Sequence, residues 1–225
     1  MTQNSNNQEG KARWEIVAIA RRLYEKDWLA ASDGNISFRL DDNRILITPS
    51  GRPKGFINVH ELAVMDLDGH VYSGNPSSER FMHLEVYREV PHARAVIHAH
   101  PPVATAWSIG RPDLKELPCK SCSELILAMG RVPIVPYARP GSVEMGKNLH
   151  PFLPKCKVMI LSRHGSLTWG DDLEEAFWGT ERLEHAARLL HYAESISPTH
   201  ELHELPREEI RELELMREKI GDRIL

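Results

Sequence analysis

The sequence predicts a layered α/β/α domain whose sheet is mixed or largely antiparallel. Three observations lead there. Short β-branched apolar runs alternate with longer stretches of helical periodicity. Several neighbouring strands are separated only by tight polar turns, which joins them as hairpins and not as crossovers. No internal repeat and no long linker divides the 225 residues, so 12–225 reads as one domain behind a flexible polar tail at 1–11.

The elements follow in order. Trp14, Ile16, Val17, Ile19, Ala20, Leu23 and Tyr24 recur at helical spacing and predict a helix over 12–28. A polar turn containing Ser32, Asp33 and Gly34 runs into a strand ending near Leu40, and Asp41-Asp42-Asn43 turns it back into a strand over 44–48. Pro49-Ser50-Gly51 is another tight turn. Residues 62–66 and 70–72 form a hairpin around Asp68-Gly69. Ser77 or Ser78 is expected to cap a helix over 80–89, with His83 on its surface or in ordinary packing. A buried strand follows at 95–100, stopped by Pro101. Helices are predicted at 102–109, 119–129 and 143–151. Strands are predicted at 132–136, 157–161 and 166–169. A long helix over 171–195 is broken by Pro198, and a charged helix over 206–220 closes the chain.

Composition narrows the function. The net charge is −4, which gives no general attraction to nucleic acid. No apolar run approaches the roughly 18 to 20 residues of a membrane span, and the polar start lacks the apolar core of a secretory leader. Three cysteines make no disulfide framework, so a reducing cytoplasm is expected. Cys119 and Cys122 form a single Cys-x-x-Cys with no second pair, and read as plain buried or half-buried thiols.

Chemistry concentrates at strand ends. In Ala95-Val96-Ile97-His98-Ala99-His100-Pro101, the two histidines stand at i and i+2. Alternate side chains on a strand share a face, so one metal ion can take both imidazoles. His164 ends another apolar strand, beside Gly165, which permits a sharp turn. Three strand-end histidines match the three-ligand pattern of an open catalytic site, with imidazole nitrogen favouring Zn²⁺ among divalent ions. The fourth position falls to Glu79, water or substrate. The turn at 49–51 and the helix start after 75–79 offer hydroxyls and free backbone N–H groups that suit a phosphate, although taken singly they read equally as plain turns and a helix cap.

The ordered set Gly34-Asn35-Ile36-Ser37, Thr48-Pro49-Ser50-Gly51, Pro76-Ser77-Ser78-Glu79, His98-Ala99-His100 and His164-Gly165 resembles the class II aldolase/adducin family, in particular its fuculose-phosphate aldolases. The resemblance spans residues 12–195. It implies a single α/β/α domain around a mostly antiparallel sheet, assembled as a homotetramer with active sites between subunits. It also implies zinc on His98, His100 and His164. Ser32, Asn35, Ser50, Gly51, Ser77 and Ser78 would surround a substrate phosphate. Glu79 would be the acid/base and approach the metal when substrate is absent. The implied reaction is cleavage of a ketose 1-phosphate to dihydroxyacetone phosphate and an aldehyde, through an enediolate that zinc stabilises.

The chain departs from that pattern at two tyrosines. The family aldolases carry one in the region matching 118–124 and one in the C-terminal tail. Here neither region holds a tyrosine, and the last in the chain is Tyr192. A phenylalanine near the substrate in fuculose-phosphate aldolases corresponds to Pro140. Relatives run dehydration of methylthioribulose 1-phosphate or decarboxylation of keto-acid phosphates on the same site, and both stand as alternatives. Epimerases carry aspartate where Glu79 stands. An adducin-like scaffold is disfavoured by the intact histidine set.

Overall fold

The computed structural model describes residues 2–221 and 223–225. In chain order the elements are α1 (Thr2–Glu25), β1 (Asn35–Arg39), β2 (Arg44–Ile47), β3 (Ala63–Asp66), β4 (Val71–Ser73), α2 (Arg80–Glu89), β5 (Ala95–Ala99) and α3 (Pro102–Gly110). There follow α4 (Ser123–Met129), β6 (Ile134–Val135), α5 (Glu144–Lys147), β7 (Val158–Leu161), β8 (Gly165–Gly170), α6 (Leu173–Ile196) and α7 (Arg207–Ile220). The strands form one sheet in the order β4-β3-β2-β1-β5-β8-β7-β6. Every pairing is antiparallel except β6 with β7. The expected architecture, α/β/α around a mostly antiparallel sheet, is the one observed.

Alternation along each strand divides the core in two. Ile36, Leu46, Ala95, Ile97 and Ala99 face one side, where Ile16, Ile19, Ala20 and Leu23 of α1 and Phe177 of α6 cover them. Ile45, Ile47, Val96, Leu167 and Trp169 face the other, under Met82, Val86 and Tyr87 of α2 and Met145 of α5. A third cluster seats α3, α4 and α6 on Val158 and Ile160 of β7. The centre of the sheet is therefore buried on both faces, and polar side chains placed there must find partners inside.

Several expectations change. The segment 1–11, expected as a flexible tail outside the first helix, is helical from Thr2; residue 1 lies outside the described residues. Residues 2–11 contain no apolar side chain, so hydrophobic periodicity had nothing to register there. Trp14 shares the helical spacing but is 68% exposed, because the buried stripe is only as wide as Ile16, Ile19, Ala20 and Leu23. The helix expected at 119–129 begins with a short 3₁₀ turn, and of 143–151 only Glu144–Lys147 is α-helical. Cys119, Cys122 and Cys156 are free thiols, the first and last buried. Among the described residues no helix is long and apolar enough to cross a membrane.

Candidate active site

The site is assembled at the ends of three central strands. His98 pairs with Asn35 of β1 on one side and Leu167 of β8 on the other. Cross-strand partners share a face, so Asn35 and His98 point together toward α2. His100 lies two residues on and keeps the same face. His164 arrives from the tight turn between β7 and β8, where Leu161 pairs with Gly165. Gly165 is required by close approach. A Cβ there would stand 2.4 Å from the Ala99 carbonyl oxygen and 2.8 Å from the His100 ring. Gly34, at φ +69°, has the same need beside Leu29 and the His98 carbonyl.

The three rings converge through one type of nitrogen. His98 Nε2 is 3.0 Å from His100 Nε2 and 3.0 Å from His164 Nε2. His98 donates its Nδ1–H to the Ser166 carbonyl at 2.7 Å. His100 Nδ1 lies 3.3 Å from an Asp33 carboxylate oxygen, which orients its N–H outward. Burial first, then the charges of His98 and His164, lower the His100 pKa to about 3 and keep the ring neutral. Each neutral imidazole has one N–H, and here both lie on Nδ1. Two bare lone pairs then face each other at 3.0 Å, an arrangement that a cation between them turns from repulsive to favourable. Four ligands at the zinc bond lengths of about 2.0–2.1 Å stand roughly 3.3 Å apart around a tetrahedron. The donor set fits a divalent ion, and the outer partners of His98 and His100 are the kind that orient such ligands.

Glu79 completes the set. Its carboxylate is 3.1 Å from His164 Nε2 and 3.4 Å from His98 Nε2, and it accepts a hydrogen bond of 2.9 Å from Asn35 Nδ2. Burial pushes its pKa up, but the His164 and His98 rings beside it outweigh that and hold the carboxyl well below the ordinary range. The expected serine cap on α2 is absent. Glu79 itself occupies the N-cap position without a side-chain cap, and the Ser77 hydroxyl accepts from the Glu79 N–H at 3.3 Å. A cap needs its oxygen over the first helical turn, whereas Ser77 is drawn away by pairing of its N–H with the Thr48 carbonyl at 3.1 Å.

That pairing, with Ser50 N–H to the Asn75 carbonyl at 2.9 Å, zips the turn at 48–51 against the turn at 75–79. Together with 32–35 they enclose an open cleft of about 440 Å³. Ser32, Asn35, Ser50, Gly51, Ser77, Ser78, Glu79, His100 and His164 all line it; His98 is sealed beneath, with no exposed surface. Every residue singled out from sequence therefore belongs to one place. The Asn35 amide points inward, to Glu79 and His83, and not to open solvent.

Sequence reasoning missed three contributors. Lys54 lines the cleft, is 2% exposed, and donates to the Ser32 and Arg52 carbonyls at 2.7 and 2.8 Å, tying two of the turns together. Burial lowers its pKa, against the opposing charges of Asp33 and Glu79. Its only signal was a lysine inside a proline- and glycine-rich turn. Asp33 was seen only as a turn residue. His83, expected on the helix surface or in ordinary packing, is fully buried against Asn35 and Ser37; its four-residue spacing from Glu79 was the available clue. A second cluster able to hold a metal, Glu85, Glu89 and His150, has two exposed members.

Residues 14–191 match the family described as Class II Aldolase and Adducin N-terminal domain. The 3-oxo-tetronate 4-phosphate decarboxylase of Haemophilus influenzae is 34% identical over 180 residues, covering 77% of this chain and 84% of that protein. The L-fuculose phosphate aldolase of Methanococcus vannielii is 35% identical over 179 residues, covering 79% and 94%. Among solved structures, YgbL from Klebsiella pneumoniae superimposes with a TM-score of 0.83 at 32% identity over 92% of this chain and 99% of that one. An L-fuculose 1-phosphate aldolase gives 0.82 at 31% identity over 93% and 96%.

Proposed function

The chain belongs to the class II aldolase/adducin family, and from that premise we propose that it is a metal-dependent lyase breaking a C–C bond beside the carbonyl group of a small phosphorylated sugar or sugar acid. One observation carries the reading. Three imidazole Nε2 atoms and an ionised carboxylate converge within 3.4 Å of one another's nearest member, at the floor of a cleft lined with hydroxyls and turn backbone.

His98, His100 and His164 would hold the ion, with zinc preferred by imidazole nitrogen, and Glu79 within reach as a fourth ligand. A bound divalent ion supplies electrophilic stabilisation of the negative charge that develops on substrate oxygens. The chain's own groups do the rest. Ser32, Ser50, Gly51, Ser77 and Ser78 seat the phosphate, with Asn35 between that seat and Glu79. The buried Lys54 ammonium and the positive end of α2 favour an anion there. Anchoring the phosphate orients the bond to be broken toward the histidines. Glu79 removes or returns the proton at carbon.

Two leaving groups fit. Cleavage of an L-fuculose 1-phosphate type ketose releases an aldehyde and leaves dihydroxyacetone phosphate, the reading implied by the motif set. It needs two proton transfers, one at the departing hydroxyl and one at carbon. The second reading, decarboxylation of a keto-acid phosphate, needs one, because carbon dioxide leaves without surrendering a proton. A specific observation favours it: among the described residues no tyrosine lines the cleft, and its two carboxylates are Glu79, beside the His98 and His164 Nε2 atoms, and Asp33, on the outer nitrogen of His100. The free thiols suit a reducing cytoplasm.

Product analysis over ketose 1-phosphates and keto-acid phosphates, with the zinc-loaded protein, tests the proposal. Dihydroxyacetone phosphate with an aldehyde assigns the aldolase, and carbon dioxide assigns the decarboxylase. Turnover of neither class removes the proposal.

The phosphate seat has its own test. Ser77→Asp places an anion where an anion is to bind, and two like charges about 4 Å apart at a protein surface repel by roughly 4 kcal/mol. KM is expected to rise on the order of a hundredfold or more. Unchanged kinetics would mean that the seat holds something other than a phosphate.

A further inference from the structure

Behind Glu79 a line of buried polar groups runs away from the cleft. Glu79, His83 and Tyr87 stand at i, i+4 and i+8, one stripe on α2. Asn35 and Ser37 stand at i and i+2, one stripe on β1. Four helical residues rise about 6 Å and two strand residues about 6.6 Å, so the stripes interleave. Asn35 Nδ2 donates to Glu79 at 2.9 Å, and Asn35 Oδ1 is 2.5 Å from His83 Nε2. His83 Nδ1 is 2.6 Å from the Ser37 hydroxyl, which is 2.8 Å from the Tyr87 hydroxyl. His83, Ser37, Tyr87 and Asn35 are all at most 1% exposed.

The carboxylate at one end sets the direction of every bond in the line. A carboxylate only accepts, so Asn35 must turn its NH₂ toward Glu79 and its oxygen toward His83. His83 must then carry its proton on Nε2. Its Nδ1 is a bare acceptor, which Ser37 fills with its O–H. The Ser37 oxygen in turn accepts the Tyr87 proton. Burial lowers the His83 pKa to about 3, so the ring is neutral, as this order requires.

We propose that His83 is a positioning residue for Glu79. By presenting Nε2–H to the Asn35 oxygen, it forbids the amide from flipping, and the amide holds Oε2 of Glu79, 3.4 Å from His98 Nε2, while Oε1 is turned to His164 Nε2 at 3.1 Å. A flipped amide would set oxygen against oxygen at Glu79 and N–H against N–H at His83. Ser37 and Tyr87 complete the line by meeting His83 Nδ1 with a donor. The inference rests on the proposed role of Glu79 in proton transfer, and its test is built so that the two can fail separately.

His83→Phe keeps a ring of similar size and removes both hydrogen bonds. His83→Gln can still donate to Asn35. With a substrate from the panel, His83→Phe is expected to lose about tenfold to a hundredfold in kcat, with KM within about threefold and metal content unchanged. His83→Gln is expected to stay within about fivefold of the parent. A merely structural histidine would not separate these two variants. Equal losses in both, or an unchanged kcat in a folded His83→Phe, would overturn the proposal. Nitrogen-15 spectra of histidine-labelled parent protein give a reading that needs no substrate and no variant that folds poorly. The expected His83 signal is a neutral Nε2–H tautomer that shifts in Glu79→Gln; an Nδ1–H tautomer overturns the inference. If the parent turns over nothing in the panel, the proposed function fails while the spectrum still decides His83.

Discussion

Glu79→Gln is expected to retain fold and metal and to lose on the order of 10² or more in kcat, the usual scale of general acid–base catalysis. Glutamine keeps the length and shape of the side chain but cannot cycle a proton. Its amide oxygen can still accept from Asn35 Nδ2, which lies 2.9 Å from the parent carboxylate. The loss should therefore report the proton transfer, with little change in packing. Solvent deuterium exchange into dihydroxyacetone phosphate, without any aldehyde, isolates that step. Exchange by the parent that vanishes in Glu79→Gln supports aldol chemistry and the role of Glu79 together. A zinc-loaded parent with no exchange points to decarboxylation or dehydration. A Glu79→Gln variant with parental kcat on the true substrate would remove Glu79 from the mechanism.

His100→Ala is expected to abolish metal binding and with it activity, while the protein stays folded. His100 follows β5 and precedes Pro101, the N-cap of α3, so its ring is carried by the strand end and oriented by Asp33 at 3.3 Å. Removing it leaves His98 and His164 with Glu79, one imidazole short of an open three-histidine site. The core is spared, because Ile97 and Ala99, not His100, pack under α1 and α6. Two measurements check this. Elemental analysis after dialysis should find the parent loaded and the variant empty. Added zinc at about a hundred times Kd should stabilise the parent by roughly 2.7 kcal/mol and leave the variant's melting point unchanged. Full metal occupancy in His100→Ala would dismiss the assignment.

The legible part of the site was the part written in short-range periodicity. His98 and His100 share a face because side chains on a strand alternate, and the apolar run before them marks the strand. His164 was found by the same rule applied to 157–161, with Gly165 marking the turn. The serine and glycine turns at 49–51 and 75–79 were visible as turns. Their joining into one cleft was not, because it depends on hydrogen bonds between Thr48 and Ser77 and between Ser50 and Asn75, 29 and 25 residues apart in the chain.

The amino-acid sequence by itself determined which side chains can hold a metal, which strand faces carry them, and the alternation that makes an α/β/α sandwich. Tertiary structure alone decided the sheet order that lays β1 beside β5, and so places Asn35 opposite His98. It alone decided that α2 covers that face, which turns His83 from an expected surface or packing residue into a fully buried one, and that the turn carrying Lys54 is tied to the Ser32 carbonyl at the cleft. The physical reason is range. Periodicity reports where a residue points relative to its neighbours a few positions away. A buried histidine or lysine is stable only through partners supplied by another element, and no local pattern encodes which element that will be.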